Sequence, residues 1–130
     1  FNYCRKLTSV DLSSCTSLTS IGRSAFDGCS RLTNVSFPAS LTSIGGSAFS
    51  DCGLTSVSFP ASLTSIGERA FSDCDNLTSA TFADATGWAV YDDYEYKNQA
   101  ASIPQSDLAN PATAAKYLRD TYYSDFWKKN

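Results

Sequence analysis

The tightest cluster of groups that could do acid–base chemistry is Asp92, Asp93 and Glu95, set among tyrosines. Asp92 and Glu95 would act as the acid and base of a glycosidase if they flanked a sugar-binding cleft at a fixed separation. Two carboxylates three positions apart in one loop give no sign of such a cleft. As a calcium site the cluster lacks the ligand spacing of an EF-hand loop. The sequence therefore favours a solvated acidic loop.

The chain contains no histidine, which removes the commonest general base and a common metal ligand. A serine triad of the usual form cannot be assembled without it. No glycine-rich phosphate-binding loop is present either. We therefore expect no enzyme activity, no cofactor and no metal.

Five cysteines could form disulfides or hold zinc. Cys4, Cys29, Cys52 and Cys74 recur at one position of a repeat, and they lack the C-x-x-C pairs of a zinc site. We expect them to be free thiols stacked in a core, although neighbouring copies would lie within disulfide range. Cys15 lies in a lengthened loop and is a candidate for intermolecular pairing if it is exposed.

The elements that position these residues come from a repeated phrase in the first two thirds of the chain, A-F-x-x-C-x-x-L-T-x-V-x-F-P-A-S-L-T-S-I-G. Phe26, Phe49 and Phe71 head copies that are 23 and then 22 residues apart, and Phe1 heads an earlier, less regular copy. A fixed period in this range predicts a solenoid, in which each copy is one coil stacked on the next. Apolar residues that share a slot should form columns through the core.

Each coil is predicted to contain two short extended pieces and two turns. The run L-T-S-V-S-F (54–59) predicts a strand that ends at a proline, because proline cannot donate to a ladder. A second extended piece is expected at 63–66, and a single helical turn at 47–52. The glycine that follows the second extended piece of each coil is expected to turn the chain at positive φ. These glycines are Gly22, Gly45 and Gly67.

Strand residues that alternate with the buried ones should point outward and form a polar, nearly uncharged face. Rows of hydroxyl groups could hold a partner protein or a glycan, or could simply keep exposed strands hydrated. The face lacks the large aromatic and arginine anchors of binding hot spots. Its residues are Ser9, Asp11, Asn34, Ser36, Ser56, Ser58, Ser79 and Thr81.

The repeat fades after residue 82, and residues 83–130 are predicted to cap the last coil. Asn110 is the expected N-cap and Pro111 the first residue of a helix near 111–122. A competing hypothesis is an exposed aromatic patch that supplies the anchors missing from the polar face. The residues of this patch are Trp88, Tyr91, Tyr94 and Tyr96.

Over about residues 1–82 the repeat resembles the BspA-like, or Treponema-type, leucine-rich repeats of bacterial surface proteins. The tail from Asp107 to Lys129, preceded by Gly87-Trp88, is similar to the ending of spirochaete members of that family. The resemblance implies an α/β-type solenoid that is mostly β, a right-handed arc with short parallel strands on its concave side and short helical turns. It also implies a cell-surface or secreted protein, with the periplasm as an alternative, that attaches to host or neighbouring-cell proteins.

Charge and hydropathy narrow the possible partners. The net charge of −3 and the absence of a basic patch argue against nucleic acid, and no apolar run is long enough to span a bilayer. The lack of a starting methionine and of a signal peptide leads us to expect a piece of a longer precursor. Open strand edges on the first coil should promote self-association.

Three functions remain. The leading hypothesis is a non-enzymatic protein–protein interaction module used in adhesion, for which a glycan is a second possible ligand. The alternative is a structural spacer or stalk within a larger surface protein. The third is a glycan-active enzyme that uses Asp92 and Glu95.

Overall fold

Two series of short parallel strands run side by side along residues 1–82 of the computed structural model, which describes every residue from Phe1 to Asn130. In the first series β1 pairs with β3, and β5 pairs with β7; in the second, β2, β4 and β6 form a continuous ladder. The bounds of these strands are β1 (Ser9–Asp11), β2 (Ser20–Ile21), β3 (Asn34–Ser36), β4 (Ser43–Ile44), β5 (Ser56–Phe59), β6 (Ser65–Ile66) and β7 (Ser79–Phe82). The predicted leucine-rich repeat fold, mostly β with few helices, is confirmed.

The apolar slots of the repeat form columns through the core. Leu32, Leu54 and Leu77 are fully buried one above another. The rings of Phe1, Phe26, Phe49 and Phe71 stack in sequence, with successive centroids 5.5, 5.2 and 5.5 Å apart. Since each coil offers its apolar side chains to both neighbours, stacking buries surface that no single coil could bury alone.

Hydroxyl groups of the repeat tie neighbouring coils together. Ser40 Oγ donates to the Leu18 carbonyl and Ser62 Oγ to the Leu41 carbonyl, each at 2.6 Å. In the same way Thr64 Oγ1 donates to the carbonyl of Thr42 at 3.1 Å. These contacts explain why the phrase P-A-S-L-T-S-I recurs almost unchanged, because its Ser and Thr satisfy carbonyls of the preceding coil.

Backbone hydrogen bonds also join the turn segments of successive coils, which are residues 24–28, 47–51 and 69–73. We call this series of bonds the turn ladder. The N–H groups of Ser47, Phe49 and Asp51 donate to the carbonyls of residues 68, 70 and 72 at 2.8–2.9 Å. The expectation of a helical turn at 47–52 is wrong, because Ser47 and Asp51 lie in the left-handed region, at φ 55° and 53°. Their N–H groups bond to the next coil, and within the turn the N–H of Ser50 donates to the Ser47 carbonyl at 3.2 Å without forming a regular helix.

The expectation that Gly22, Gly45 and Gly67 adopt positive φ is also wrong. A Cβ on Gly45 would lie 2.6 Å from the backbone nitrogen of Arg23, and one on Gly67 would collide with the backbone of Gly46. At these two positions glycine is therefore required by the close approach of successive coils.

The C-terminal segment adds antiparallel strands to the edge of the second series. Strand β10 (Phe126–Lys129) lies between β6 and β8 (Trp88–Tyr91), and β9 (Gln99–Ser102) pairs with the other edge of β8. The ring of Trp127 is 1% exposed and stacks on Phe82, the last phenylalanine of the repeat, at 6.2 Å between centroids. The C-terminal segment thus covers the end of the apolar core of the repeat with the ring of Trp127.

Two short helices, α1 (Gln105–Leu108) and α2 (Pro111–Lys116), connect β9 to β10, and a π-helical turn (Tyr117–Thr121) extends α2. The side chain of Asn110 accepts hydrogen bonds from the N–H groups of Ala112 and Thr113, as expected of an N-cap. Helix α2 packs against β7. The division of the chain into a repeat at 1–82 and a capping segment at 83–130 stays a prediction.

Candidate functional site

The outward residues of β1, β3, β5 and β7 form the polar face that the sequence singled out. Strands β5 and β7 alternate between exposed or half-buried polar residues and buried apolar ones. Ser58 lies opposite Thr81, and Ser56 opposite Ser79. Ser9 and Asp11 on β1 lie opposite Asn34 and Ser36 on β3.

Most side chains of this face make no hydrogen bond within the protein, unlike the hydroxyl groups of Ser40, Ser62 and Thr64, which bridge coils. Asp11 accepts hydrogen bonds from the backbone N–H and the hydroxyl of Ser13, and the hydroxyl contact is the larger cause of the lowered pKa of Asp11. The remaining side chains of the face make no hydrogen bond to another protein group. Their donors and acceptors are available to a partner.

A cleft of about 250 Å³ opens in the middle of the polar face, between β3 and β5. These two strands lie side by side but do not pair, unlike β1 with β3 or β5 with β7. The loop before β5 is one residue shorter than its counterparts, and a Cβ at Gly53 in this loop would lie 2.6 Å from the carbonyl oxygen of Ser30. The polar walls of the cleft are Asn34, Ser36, Ser56 and Ser58.

The proposed aromatic patch is not an exposed surface as a whole. Trp88 is 2% exposed and Tyr91 6% exposed, so the expectation that they are displayed for binding is wrong. Strand β8 is paired on both edges and all four of its residues are buried. The indole N–H of Trp88 donates to the carbonyl of Asp84, which satisfies it inside the protein.

Tyr94 and Tyr96 lie in the loop between β8 and β9. Tyr94 is largely exposed, whereas Tyr96 packs edge-on against Tyr91 and has the Lys128 ammonium 4.7 Å from its ring centre. Partial burial, helped by the charge of Glu68, raises the pKa of Tyr96. This loop extends from the sheet of the second series, so the structure does not unite the two tyrosines with the polar face.

The acidic cluster shapes the same loop. Asp93 Oδ1 accepts hydrogen bonds from the N–H groups of Lys97 and Asn98, and Glu95 forms an ion pair with Lys97. No group of three His, Cys, Asp or Glu side chains that could hold a metal ion occurs in the protein. The carboxylates therefore stabilise a turn.

No disulfide forms within the chain, and the prediction of free thiols at Cys4, Cys29, Cys52 and Cys74 is confirmed. Cys29, Cys52 and Cys74 are buried and Cys15 is exposed. Burial is the main cause of the raised pKa of Cys74, about 12. A buried thiol of this kind is a packing group and not a nucleophile.

A second polar cleft, which the sequence did not reveal, lies between the last coil and the C-terminal segment. Arg69 and Asp73 of the turn ladder face Arg119 and Tyr123 across a volume of about 580 Å³. These residues are some fifty positions apart and carry no recognisable motif, so no pattern in the sequence could have joined them. No helix of the protein combines the length and the apolar character needed to cross a membrane.

Comparison with known proteins agrees with this geometry. A model of the BspA-type leucine-rich repeat region matches residues 1–103 in six copies, which extends the match beyond residue 82. The chain is 34% identical to a leucine-rich cell surface protein from Faecalibacterium prausnitzii A2-165, with a TM-score of 0.63 over 68% of this chain and 22% of that one. It is 29% identical to a leucine-rich repeat protein from Bacteroides ovatus ATCC 8483, with a TM-score of 0.54 over 65% of this chain and 28% of that one.

The chain therefore spans about a quarter of the length of these solved structures. No curated protein matches it. Leucine-rich repeats are generally protein-interaction folds without an activity of their own, and no catalytic family is indicated. Because the family model covers all of the stacked coils and the β8–β9 hairpin, the chain belongs to the BspA-type leucine-rich repeat family.

Proposed function

We propose that this chain is a non-enzymatic protein-interaction module of a bacterial cell-surface or secreted protein, and that it takes part in adhesion. The observation that carries the proposal is the unused hydrogen-bonding capacity of the polar face. Several hydroxyl groups elsewhere in the repeat, such as those of Ser40, Ser62 and Thr64, bridge coils, whereas the Ser and Thr hydroxyls on this face are free. The description of one similar solved structure as a cell surface protein supports the location.

The cleft between β3 and β5 is the proposed centre of the binding surface. Its walls offer hydroxyl and amide groups, which can donate and accept hydrogen bonds in many arrangements. A protein partner could insert a polar side chain there while its backbone contacts the surrounding rows. We also propose that the coils form a right-handed arc and that the polar face lies on its concave side.

A substitution that fills the cleft tests this surface. We expect Ser58→Arg to weaken binding to its partner at least tenfold, because the long cationic side chain obstructs the space between β3 and β5. The measurement is surface plasmon resonance of the immobilised chain against purified extracellular-matrix and bacterial surface proteins.

Ala61→Arg is the matched control, because Ala61 is exposed, lies outside the strands and receives the same charge. It should change affinity less than twofold. If a binding protein is found and Ser58→Arg does not affect its affinity, the polar face is not the binding surface. If neither protein set binds, the spacer function gains support.

We also propose that this chain associates with itself through its first coil. Phe1 is 79% exposed although its other side stacks on Phe26, and Tyr3 is 59% exposed. Strands β1 and β2 each pair on one edge only. Exposed apolar rings beside unpaired strand edges favour association with another chain.

A further inference from the structure

The cleft between the last coil and the C-terminal segment lies where the turn ladder ends. In the preceding coil, the N–H groups of Phe49 and Asp51 donate to carbonyls of residues 70 and 72. In the last coil, the N–H of Arg69 reaches the carbonyl of Tyr123 at 2.6 Å. The chain then turns away after Tyr123, and the N–H groups of Phe71 and Asp73 have no acceptor.

The side chains around this cleft add further unused donors. Arg119 has its Nε atom buried without a hydrogen-bond partner, while its Nη1 atom contacts the carboxylate of Asp120 at 3.2 Å. The guanidinium of Arg69 makes no ion pair and no hydrogen bond. Both arginines of the cleft therefore carry unused donors, and Asp73 supplies the cleft's only carboxylate free of ion pairing.

We propose that this cleft binds a carboxylate group of a ligand. A carboxylate only accepts hydrogen bonds, and its two oxygens match the planar fork of a guanidinium. Arg69 makes the main contact, the hydroxyls of Ser47 and Tyr123 are within the same lining, and the unpaired backbone donors favour negative charge nearby. This site is separate from the polar face and does not depend on it.

Two kinds of ligand carry the required group, an acidic sugar and an acidic amino-acid side chain. The test uses D-glucuronate for the first, N-acetyl-aspartate for the second, and D-glucose as the neutral comparison. Each is titrated into the ¹⁵N-labelled chain while amide resonances and the arginine Nε–H resonances are recorded. We expect the signals of Arg69, Phe71, Asp73 and the Arg119 Nε–H to move with one or both acids and to stay fixed with glucose.

Two substitutions are expected to change carboxylate binding in opposite directions. Arg69→Gln removes the free guanidinium and should weaken carboxylate binding roughly tenfold, since hydrogen bonds to charged groups are among the stronger ones. Asp73→Asn removes a like charge and should strengthen binding severalfold. Arg31→Gln is the matched control, because Arg31 is exposed and does not line the cleft, and it should change affinity less than twofold.

Each result decides the proposal. Movement with glucuronate alone supports it and identifies an acidic sugar, and movement with N-acetyl-aspartate alone supports it and identifies an acidic peptide. Equal movement with glucose, together with weaker binding in Asp73→Asn, would overturn it in favour of a hydroxyl-binding site. The absence of any movement up to the solubility limit, or equal losses in Arg69→Gln and Arg31→Gln, would also overturn it.

Discussion

At the scale of single residues, the cysteine of each coil contacts the chain of the coil before it. The thiol of Cys52 donates to the carbonyl of Phe26 at 3.1 Å, and that of Cys74 to the carbonyl of Phe49 at 3.0 Å. The shared slot predicted burial and free thiols. It could not predict the carbonyl partner, because the alignment of slots does not show how far one coil is rotated against the next.

This arrangement predicts a graded thiol reactivity. In the native protein we expect Ellman's reagent to modify Cys15 quickly and to leave Cys52 and Cys74 unmodified. Cys15 is exposed, whereas burial raises the pKa of both other thiols and therefore suppresses the reactive thiolate. The measurement is the time course of absorbance, with the unfolded chain as the reference for complete reaction.

Cys15→Ser provides the matched control and should abolish the fast phase. A fast phase that persists in Cys15→Ser, or one that corresponds to more than one thiol in the unaltered chain, would show that the coils open more readily than their burial indicates.

At the scale of elements, the sequence predicted the repeating strands and the start of α2 but missed β10. The strands repeat, so each copy supports the assignment of the others, and Asn110-Pro111 is a local signal. Strand β10 occurs once and ends in two lysines, and its partner β6 lies about sixty residues earlier. Its position depends on contacts distant in the chain, which no local pattern reveals.

The same limit explains the error over Trp88 and Tyr91. Aromatic residues in an irregular, polar segment resemble an interface in composition alone. Trp88 is buried against Phe82 and Trp127, and Tyr91 packs against Tyr96; the contacts of Trp88 with Trp127 join parts of the chain that no local pattern connects.

Strand β10 should therefore be essential to stability. We expect Trp127→Ala to lower the free energy of unfolding by roughly 3–5 kcal/mol, because it removes a buried ring that stacks on Phe82 and contacts Trp88. The measurement is urea denaturation followed by circular dichroism.

Tyr94→Ala removes an aromatic ring that is 72% exposed, and it should change stability by about 0.5 kcal/mol or less. Similar losses in the two variants would mean that the C-terminal segment does not hold the last coil.

At the scale of the whole molecule, the two ends of the stack differ. The last coil is covered by Trp127 and α2, whereas the first coil displays Phe1 and unpaired strand edges. The sequence predicted this difference, because a segment of different composition follows the repeat after residue 82 whereas Phe1 already lies within a copy of the repeat. It could not predict the cleft beside Arg69, because that cleft is formed where the turn ladder and the C-terminal segment diverge.

We expect the chain to form dimers that increase with concentration in sedimentation velocity and light scattering. Phe1→Ser should shift the equilibrium toward monomer by removing an exposed apolar ring from the first coil. Tyr94→Ser removes a ring of similar exposure elsewhere and should leave the equilibrium unchanged. A single monomeric species at every concentration would exclude self-association through this coil.

The contacts of β10 have a consequence for the length of such proteins. Trp127 and Lys128 pair with Ile66 and Ser65, the N–H of Lys129 reaches the carbonyl of Thr64, and Trp127 stacks on Phe82, so all of these partners belong to the last two copies of the repeat. Duplication or loss of a whole copy further upstream would leave this ending untouched. Genes of this kind can therefore grow or shrink by recombination in steps of one coil, each adding about 4.8 Å of reach, without the need for a new terminus.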